Sequence, residues 1–187
     1  MDQIEQNMLK KVNQYNLLMK NAIEGPNCIN PKICLADCCH IMIDVPKFLA
    51  EYYTENDLAT KEDFSRGDLF SFKINVTPAN SKCVFYDKEL NGCSLHSTMH
   101  KPPQCWIYPT GFSNDPGEEK SFADDGTIKC KKASGWKIID VTKTKEAKRI
   151  FDDYVAYCEN EFAQETVKER IKERLEPFFS QPNTFLL

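Results

Sequence analysis

Apolar residues recur at steps of three and four near the start of the chain: Ile4, Met8, Val12, Tyr15, Met19, Ala22 and Ile23. That spacing puts them on one face of a helix, so the pattern predicts an amphipathic helix over residues 3–23 that packs on the rest of the chain. Gly25-Pro26 stops it. A short second helix is expected next, with Asp44 as its cap, Pro46 in its first turn, and Phe48, Leu49, Tyr52 and Tyr53 as its apolar face. Residues 54–68 are charged and read as a surface connection. Phe70, Phe72, Ile74 and Val76 alternate with polar residues, the period of a half-buried strand, which Pro78 ends. Val84-Phe85-Tyr86 and Cys93-Ser94-Leu95 flank Asn91-Gly92, a turn dipeptide, so a hairpin is expected there.

Residues 96–135 show little periodicity and are rich in Pro and Gly. An unsupported connection of that length is rare in a compact domain. Cys105 and Cys130 lie within it, and a metal bond would supply the support. Trp136 to Val141 reads as a strand, and from about Thr144 the chain is helical, with Ala147, Ile150, Phe151, Tyr154, Cys158 and Phe162 in one stripe. The stripe slips near Glu165, and Thr166-Val167-Lys168-Glu169 resembles a capping box, so two helices or one broken helix are expected, ending before Pro177. The expected fold class is α+β, with helices at both termini around an irregular cysteine-rich metal-binding centre with short strands. It divides into an N-terminal helix (1–26), a cysteine-cluster core (27–141) and a C-terminal helical segment (142–187).

At 187 residues the chain suits one domain with helical additions, long enough to bury a core without staples. A hydrophobic fraction of 41% and a charged fraction of 28% are ordinary for a globular protein, and a net charge of -4 lacks the basic footprint of a nucleic-acid binder. Lys129, Lys131 and Lys132 read as a solvated face. No apolar run approaches the roughly 18 residues of a membrane span. The start, Met1-Asp-Gln-Ile-Glu-Gln, lacks the basic and apolar regions of a secretory leader, so a cytoplasmic location with reduced thiols is expected.

Reduced thiols change the meaning of the nine cysteines. The first group is Cys28, Cys34, Cys38 and Cys39; the second is Cys83, Cys93 and Cys105, with Cys130 beyond. Clustered thiols in a reducing compartment read as metal ligands, and thiolate is a soft donor that suits zinc and iron–sulfur clusters. On a helical turn Cys34 and Cys38 point the same way, whereas adjacent Cys38 and Cys39 diverge by roughly 100° on a helix or 180° on a strand. One tetrahedral zinc is awkward to chelate with both, which favours an iron–sulfur cluster or two sites. No paired C-x2-C knuckle and no C-x2-C-x2-C run is present, so the metal's identity stays open. Two other readings stand beside it: buried thiols that pack as small hydrophobes, or a disulfide framework. Cys158 sits on the helical stripe and is expected in the core.

Cys93-x2-His96-x3-His100-x4-Cys105 has a spacing zinc could use, and His40 follows the cysteine pair. Lone histidines are more often hydrogen-bonded than ligating, and the thiolates already exceed what one site needs. Cys34 or Cys39 beside a histidine is also a conceivable nucleophile. Trp106 and Tyr108 are expected to shield the centre from water, and Asp124-Asp125 to shape a turn before Gly126. With Gly at only 7 positions, neither a phosphate loop nor a dinucleotide fingerprint is present.

These residues resemble the cysteine-cluster proteins with a CxxCxxxCC-type signature, a zinc- or iron-chelating group. The matching segments are Cys34-Leu-Ala-Asp-Cys38-Cys39, Cys83-Val-Phe-Tyr86, Asn91-Gly-Cys93-Ser-Leu95 and Lys101-Pro102-Pro103-Gln-Cys105-Trp-Ile-Tyr-Pro109, with Cys130 beyond; together they span roughly residues 28–135. Two departures stand out. Cys28 and Cys34 are separated by five residues rather than two, and Lys101 and Trp106 stand where the family commonly has arginine. The resemblance implies a metal-binding protein, iron–sulfur or zinc, with a redox role or one supporting a protein partner. It also implies two alternatives. One is a metal-dependent enzyme, since a flagellin lysine-N-methylase carries a similar cysteine domain; the other is a structural zinc module. No nucleic-acid or membrane partner is expected.

Overall fold

In a computed structural model of the chain, the described residues are 1–24, 37–40, 42–107 and 137–179. Their elements run α1 (Gln3–Ala22), β1 (Ile23–Glu24), β2 (Ile43–Val45), α2 (Lys47–Glu55), β3 (Phe64–Arg66), β4 (Phe72–Ile74), β5 (Tyr86–Asp87), β6 (Gly92–Cys93), α3 (Gln104–Ile107), β7 (Lys137–Ile138) and α4 (Val141–Phe179), with 3-10 turns at Asp37–His40, Lys61–Asp63 and Ser94–Ser97. The fold is α+β, with a long helix near each end and short antiparallel strands between them.

A closed capping box starts α1: the Asp2 carboxylate accepts from the Ile4 and Glu5 amides while the Glu5 carboxylate accepts from the Asp2 amide. The buried stripe is Met8, Val12, Tyr15, Met19 and Ala22, as the spacing predicts, but it begins one turn later than expected, since Ile4 is 64% exposed. This face packs antiparallel on α4, with Lys11 paired to Asp153 and Gln14 bonded to Glu146 along the edges. The chain ends of this helical pair are tied by β1 and β7, with Ile23 opposite Ile138.

α4 corrects the expectation of a break. Its 39 residues run without interruption through Glu165 and past Pro177. Thr166 caps no new helix; its hydroxyl donates back to the Phe162 carbonyl one turn earlier. The slip in the apolar stripe marks a change of partner. Phe162, Glu165, Thr166 and Glu169, at helical spacings of three and four, turn from α1 toward the strands and line a cleft of about 400 Å³ with Phe64, Arg66 and Phe72. Arg66 closes its edge by pairing with Glu169 at 2.5 Å.

The central sheet has the order β2-β4-β3, all antiparallel, with Ile43 opposite Ile74 and Phe64 opposite Ile74 on the other side. β4 realises the predicted strand in shortened form. β3 falls in the stretch read as a surface connection, because its residues are mostly exposed and carry no alternation. The predicted hairpin is present as β5 and β6, joined by Lys88–Asn91, with Asn91 in the left-handed region at φ 47°.

The start of α2 is also corrected. Asp44 belongs to β2, where its carboxylate accepts from the Asp68 and Leu69 amides and so holds the following turn. That turn requires Gly67, since a Cβ there would run into the Phe70 carbonyl and the Asp44 carboxylate. Pro46 occupies the cap position of α2 and offers no side-chain acceptor. Glu161 supplies it from α4: its Oε1 accepts from the Lys47 amide at 2.8 Å and from the Ser71 hydroxyl. One carboxylate therefore joins α4, α2 and the turn before β4.

Two apolar clusters result. The larger gathers β2, α2, Phe70, Ile74, Phe85, Leu95, Tyr154 and Cys158. The smaller holds Tyr15, Met19, Ala22, Ile23, Trp106, Ala147 and Ile150 between α1 and α4. Cys158 is fully buried, in agreement with the core role expected of it. Replacing Glu161 by Ala removes the cap of α2 and should cost about 1–2 kcal/mol of stability in chemical denaturation. Glu161→Gln keeps an acceptor oxygen and should cost less; equal losses would show that the cap is not what the carboxylate contributes.

Candidate metal centre

Cys28, Cys34 and Cys130 lie outside the described residues, as do Tyr108, Asp124-Asp125 and the Lys129–Lys132 run. Cys38 and Cys39 lie on the 3-10 turn Asp37–His40. Cys39, Cys83, Cys93 and Cys105 are thiols, not cystines. Cys39 is buried, and the other three are half-buried.

Main-chain bonds bring the two cysteine groups together. The Cys83 amide donates to the Cys39 carbonyl at 2.5 Å, and Val76 pairs with Cys83 in an antiparallel bridge. His40, exposed, donates its Nδ1–H to the Ser81 carbonyl at 2.9 Å, a second tie between the same segments. Cys93 stands opposite Tyr86 in the hairpin, and the Ser94 amide donates to the Phe85 carbonyl. Cys105 is the second residue of the short helix α3, its amide donating to the Pro102 carbonyl.

Tyr53 of α2 marks where these segments meet. It is fully buried, with its ring 4.9 Å from that of Phe85. Burial raises its pKa well above the ordinary value, and the charges of Cys105, Cys93 and Cys83 raise it further. Cys83, Cys93 and Cys105, distant in sequence, pack half-buried against the apolar cluster that holds Tyr53. Tyr15 of α1 behaves like Tyr53: burial raises its pKa first, and the Cys105 charge adds to the shift.

The segment carrying His100 and Cys105 has an irregular backbone and is partly buried. Lys101, Pro102 and Pro103 are all buried, and polar backbone so placed needs partners. Side chains of α1, α2 and α4 supply them. The Tyr53 hydroxyl donates to the His100 carbonyl at 2.5 Å, and the Tyr15 hydroxyl to the Pro103 carbonyl at 3.2 Å. The Tyr154 hydroxyl of α4 donates to Gln104 Oε1 at 3.4 Å, while Gln104 donates to the Asp44 carbonyl of β2 at 2.8 Å. Asn16, 1% exposed, donates to the carbonyls of Met99 (3.1 Å), Lys101 (2.9 Å) and Val12 (2.9 Å) and accepts the Trp106 indole N–H at 2.6 Å.

Sequence reading passed over Asn16 and saw Tyr53 only as part of an apolar face. The available signal was Asn16 itself, a polar residue four positions after Val12 on the buried side of α1. Trp106 was expected as a shield; it packs instead in the cluster between α1 and α4 because its N–H finds Asn16 there.

The basic residue before the proline pair is not displayed outward. Lys101 is 7% exposed, and its ammonium lies 4.4 Å from the centre of the Trp106 ring and 3.2 Å from His96 Nδ1. An ammonium only donates, so Nδ1 of His96 accepts and the neutral ring carries its proton on Nε2. In this arrangement neither nitrogen offers a metal a lone pair. His100 is stacked on Tyr52 with ring centres 4.3 Å apart, and its Nδ1 is 3.3 Å from the Tyr52 hydroxyl.

The donor set suits zinc or iron, since soft thiolates dominate it. Among the described residues no three His, Cys, Asp or Glu side chains stand close enough to hold an ion by themselves. Cys39, Cys83, Cys93 and Cys105 are thus neighbours rather than a closed cage. Cys158 stands apart, its thiol buried and its pKa pushed up by that burial.

A family model described as "CxxCxxCC: Putative zinc- or iron-chelating domain" matches residues 27–159. No curated protein and no solved structure matches the chain significantly.

His96 generates a pH prediction. Desolvation lowers its pKa from 6.5 to about 4, with the Lys101 and Lys20 charges adding to the effect. The unfolded chain therefore takes up a proton near pH 6.5 that the folded chain resists, so this contribution is intact above that pH and is lost as pH falls toward 4. The residue keeps an exposed side, so solvent screening makes the loss a fraction of the full linkage value. Thermal denaturation of the metal-free chain across this window should show Tm falling less steeply for His96→Gln than for the parent; parallel curves would contradict the assignment.

Proposed function

Because the chain belongs to the CxxCxxCC family of zinc- or iron-chelating domains, we propose that it holds a metal centre on its cysteine thiolates, an iron–sulfur cluster first and zinc second. The proposed ligands are drawn from Cys28, Cys34, Cys38, Cys39, Cys83, Cys93, Cys105 and Cys130. The observation that carries the reading is that Cys83, Cys93 and Cys105, distant in sequence, pack half-buried against one apolar cluster that contains Tyr53, with Cys39 bonded through its backbone to Cys83.

A multi-iron cluster, or two separate sites, is favoured over a single ion by the pair Cys38-Cys39. Adjacent side chains diverge by roughly 100° on a helix or 180° on a strand, so one tetrahedral ion is awkward to chelate with both. An iron–sulfur cluster would supply one-electron chemistry, and the protein's part would be to set its potential through burial and hydrogen bonds to sulfur. The role that follows is redox, or support of a partner enzyme, with a protein as the partner. The thiols suit a reducing compartment, the cytoplasm. No helix among the described residues is long and apolar enough to cross a membrane.

Anaerobic purification with elemental analysis and a visible spectrum tests the reading. Matched iron and sulfide with broad visible absorption is the expected result. A colourless protein holding zinc would instead identify a structural module that presents its helices to a partner. Single changes Cys83→Ser, Cys93→Ser and Cys105→Ser should each lower bound metal severalfold, whereas Cys158→Ser should leave it unchanged. Loss of metal on Cys158→Ser alone would overturn the assignment. Because thiolates must be deprotonated to bind, metal should be released as pH falls.

A further inference from the structure

The matched stretch begins at residue 27, yet four side-chain hydrogen bonds to the Cys105 segment come from before it. We infer that Asn16 of α1 is a positioning residue for the metal centre, setting where Cys105 presents its sulfur. The inference rests on the metal-binding reading above and adds to it a part of the chain that the family model does not cover.

Three observations carry it. Asn16 is 1% exposed and spends its amide on both sides of one segment: Nδ2 holds the Met99 and Lys101 carbonyls at 3.1 and 2.9 Å, and Oδ1 holds the Trp106 indole at 2.6 Å. Cys105 lies between those anchors, next to Trp106, on a helix of only four residues that has little rigidity of its own. The neighbouring residue Tyr15 adds the Pro103 carbonyl at 3.2 Å, so α1 grips the segment at four points. Pro102 and Pro103 have no N–H to donate, so apart from the local bonds of the Cys105 and Trp106 amides, side-chain donors tie the segment to the helices. A primary amide fits the task because it alone offers two donors and an acceptor at one position. Asp lacks the donors, and Leu would leave three buried groups unpaired.

The experiment is a cobalt(II) titration of the full-length chain, read in the thiolate-to-cobalt charge-transfer band. Asn16→Asp keeps the acceptor for Trp106 and loses the donors, whereas Trp106→Phe keeps an aromatic ring in the cluster but loses the indole donor and the larger ring's contacts. Each should weaken cobalt binding by about 10–100-fold, the usual cost of losing a group that orients a ligand. The same changes made in a Cys105→Ser background should alter affinity by less than about twofold, because there the sulfur they place is absent. A merely structural role would weaken both backgrounds alike, and that result would overturn the inference. So would a parent and an Asn16→Asp chain of equal affinity. If Asn16→Asp fails to fold, Trp106→Phe decides by the same criterion. A parent chain that binds neither cobalt nor zinc would remove the metal-binding reading itself, an outcome distinct from the others.

Discussion

The structure depends on satisfying the polar groups of one irregular, partly buried segment, Met99–Trp106. Three helices each send a buried tyrosine's hydroxyl to it: Tyr15 from α1, Tyr53 from α2 and Tyr154 from α4. A buried phenol needs a partner for its hydroxyl, and a buried carbonyl needs a donor; an unmet group of either kind costs about 1–3 kcal/mol. Each need meets the other here. The helices are therefore positioned by this segment as much as the segment is by them, and Asn16 adds the densest set of bonds.

This arrangement separates two jobs that small metal proteins often combine. The apolar clusters around α2 and between α1 and α4 provide a core without help from a metal. Among the described residues Cys83, Cys93 and Cys105 sit half-buried at the edge of that core, and main-chain bonds such as that from Cys83 to Cys39 hold their segments. Such placement suits thiolates, which must lose their protons to bind and would resist doing so in a fully apolar site. Cys158 shows the contrast, since its burial raises the thiol pKa and suits it to packing.

Lys101 links the two jobs. Where arginine is common in the resembled family, this chain has Lys101 stacked on Trp106 and donating to His96. Its positive charge is absorbed within the chain by an aromatic face and a histidine lone pair, so this residue serves the packing of the Cys105 segment rather than an outside partner. The same contact fixes the tautomer of His96 and takes it out of contention as a ligand.

Local pattern alone determined a good deal. The stripe of α1, the central strand β4, the hairpin around Asn91 and the burial of Cys158 all follow from spacings of three to four or of two, because such spacings decide which side chains share a face. The cysteine series identified the candidate chemistry, and its order along the chain carried the family resemblance. Tertiary structure decided the rest. Asp44 serves a turn and Glu161 caps α2 from 114 residues away; α4 runs on where its stripe slips, because its partner changes from α1 to the strands. Asn16 and Tyr53 act on carbonyls 85 and 47 residues distant in sequence. A hydrogen bond between such groups leaves no periodic trace, since its partner is set by how the helices pack and not by the spacing of neighbours along the chain.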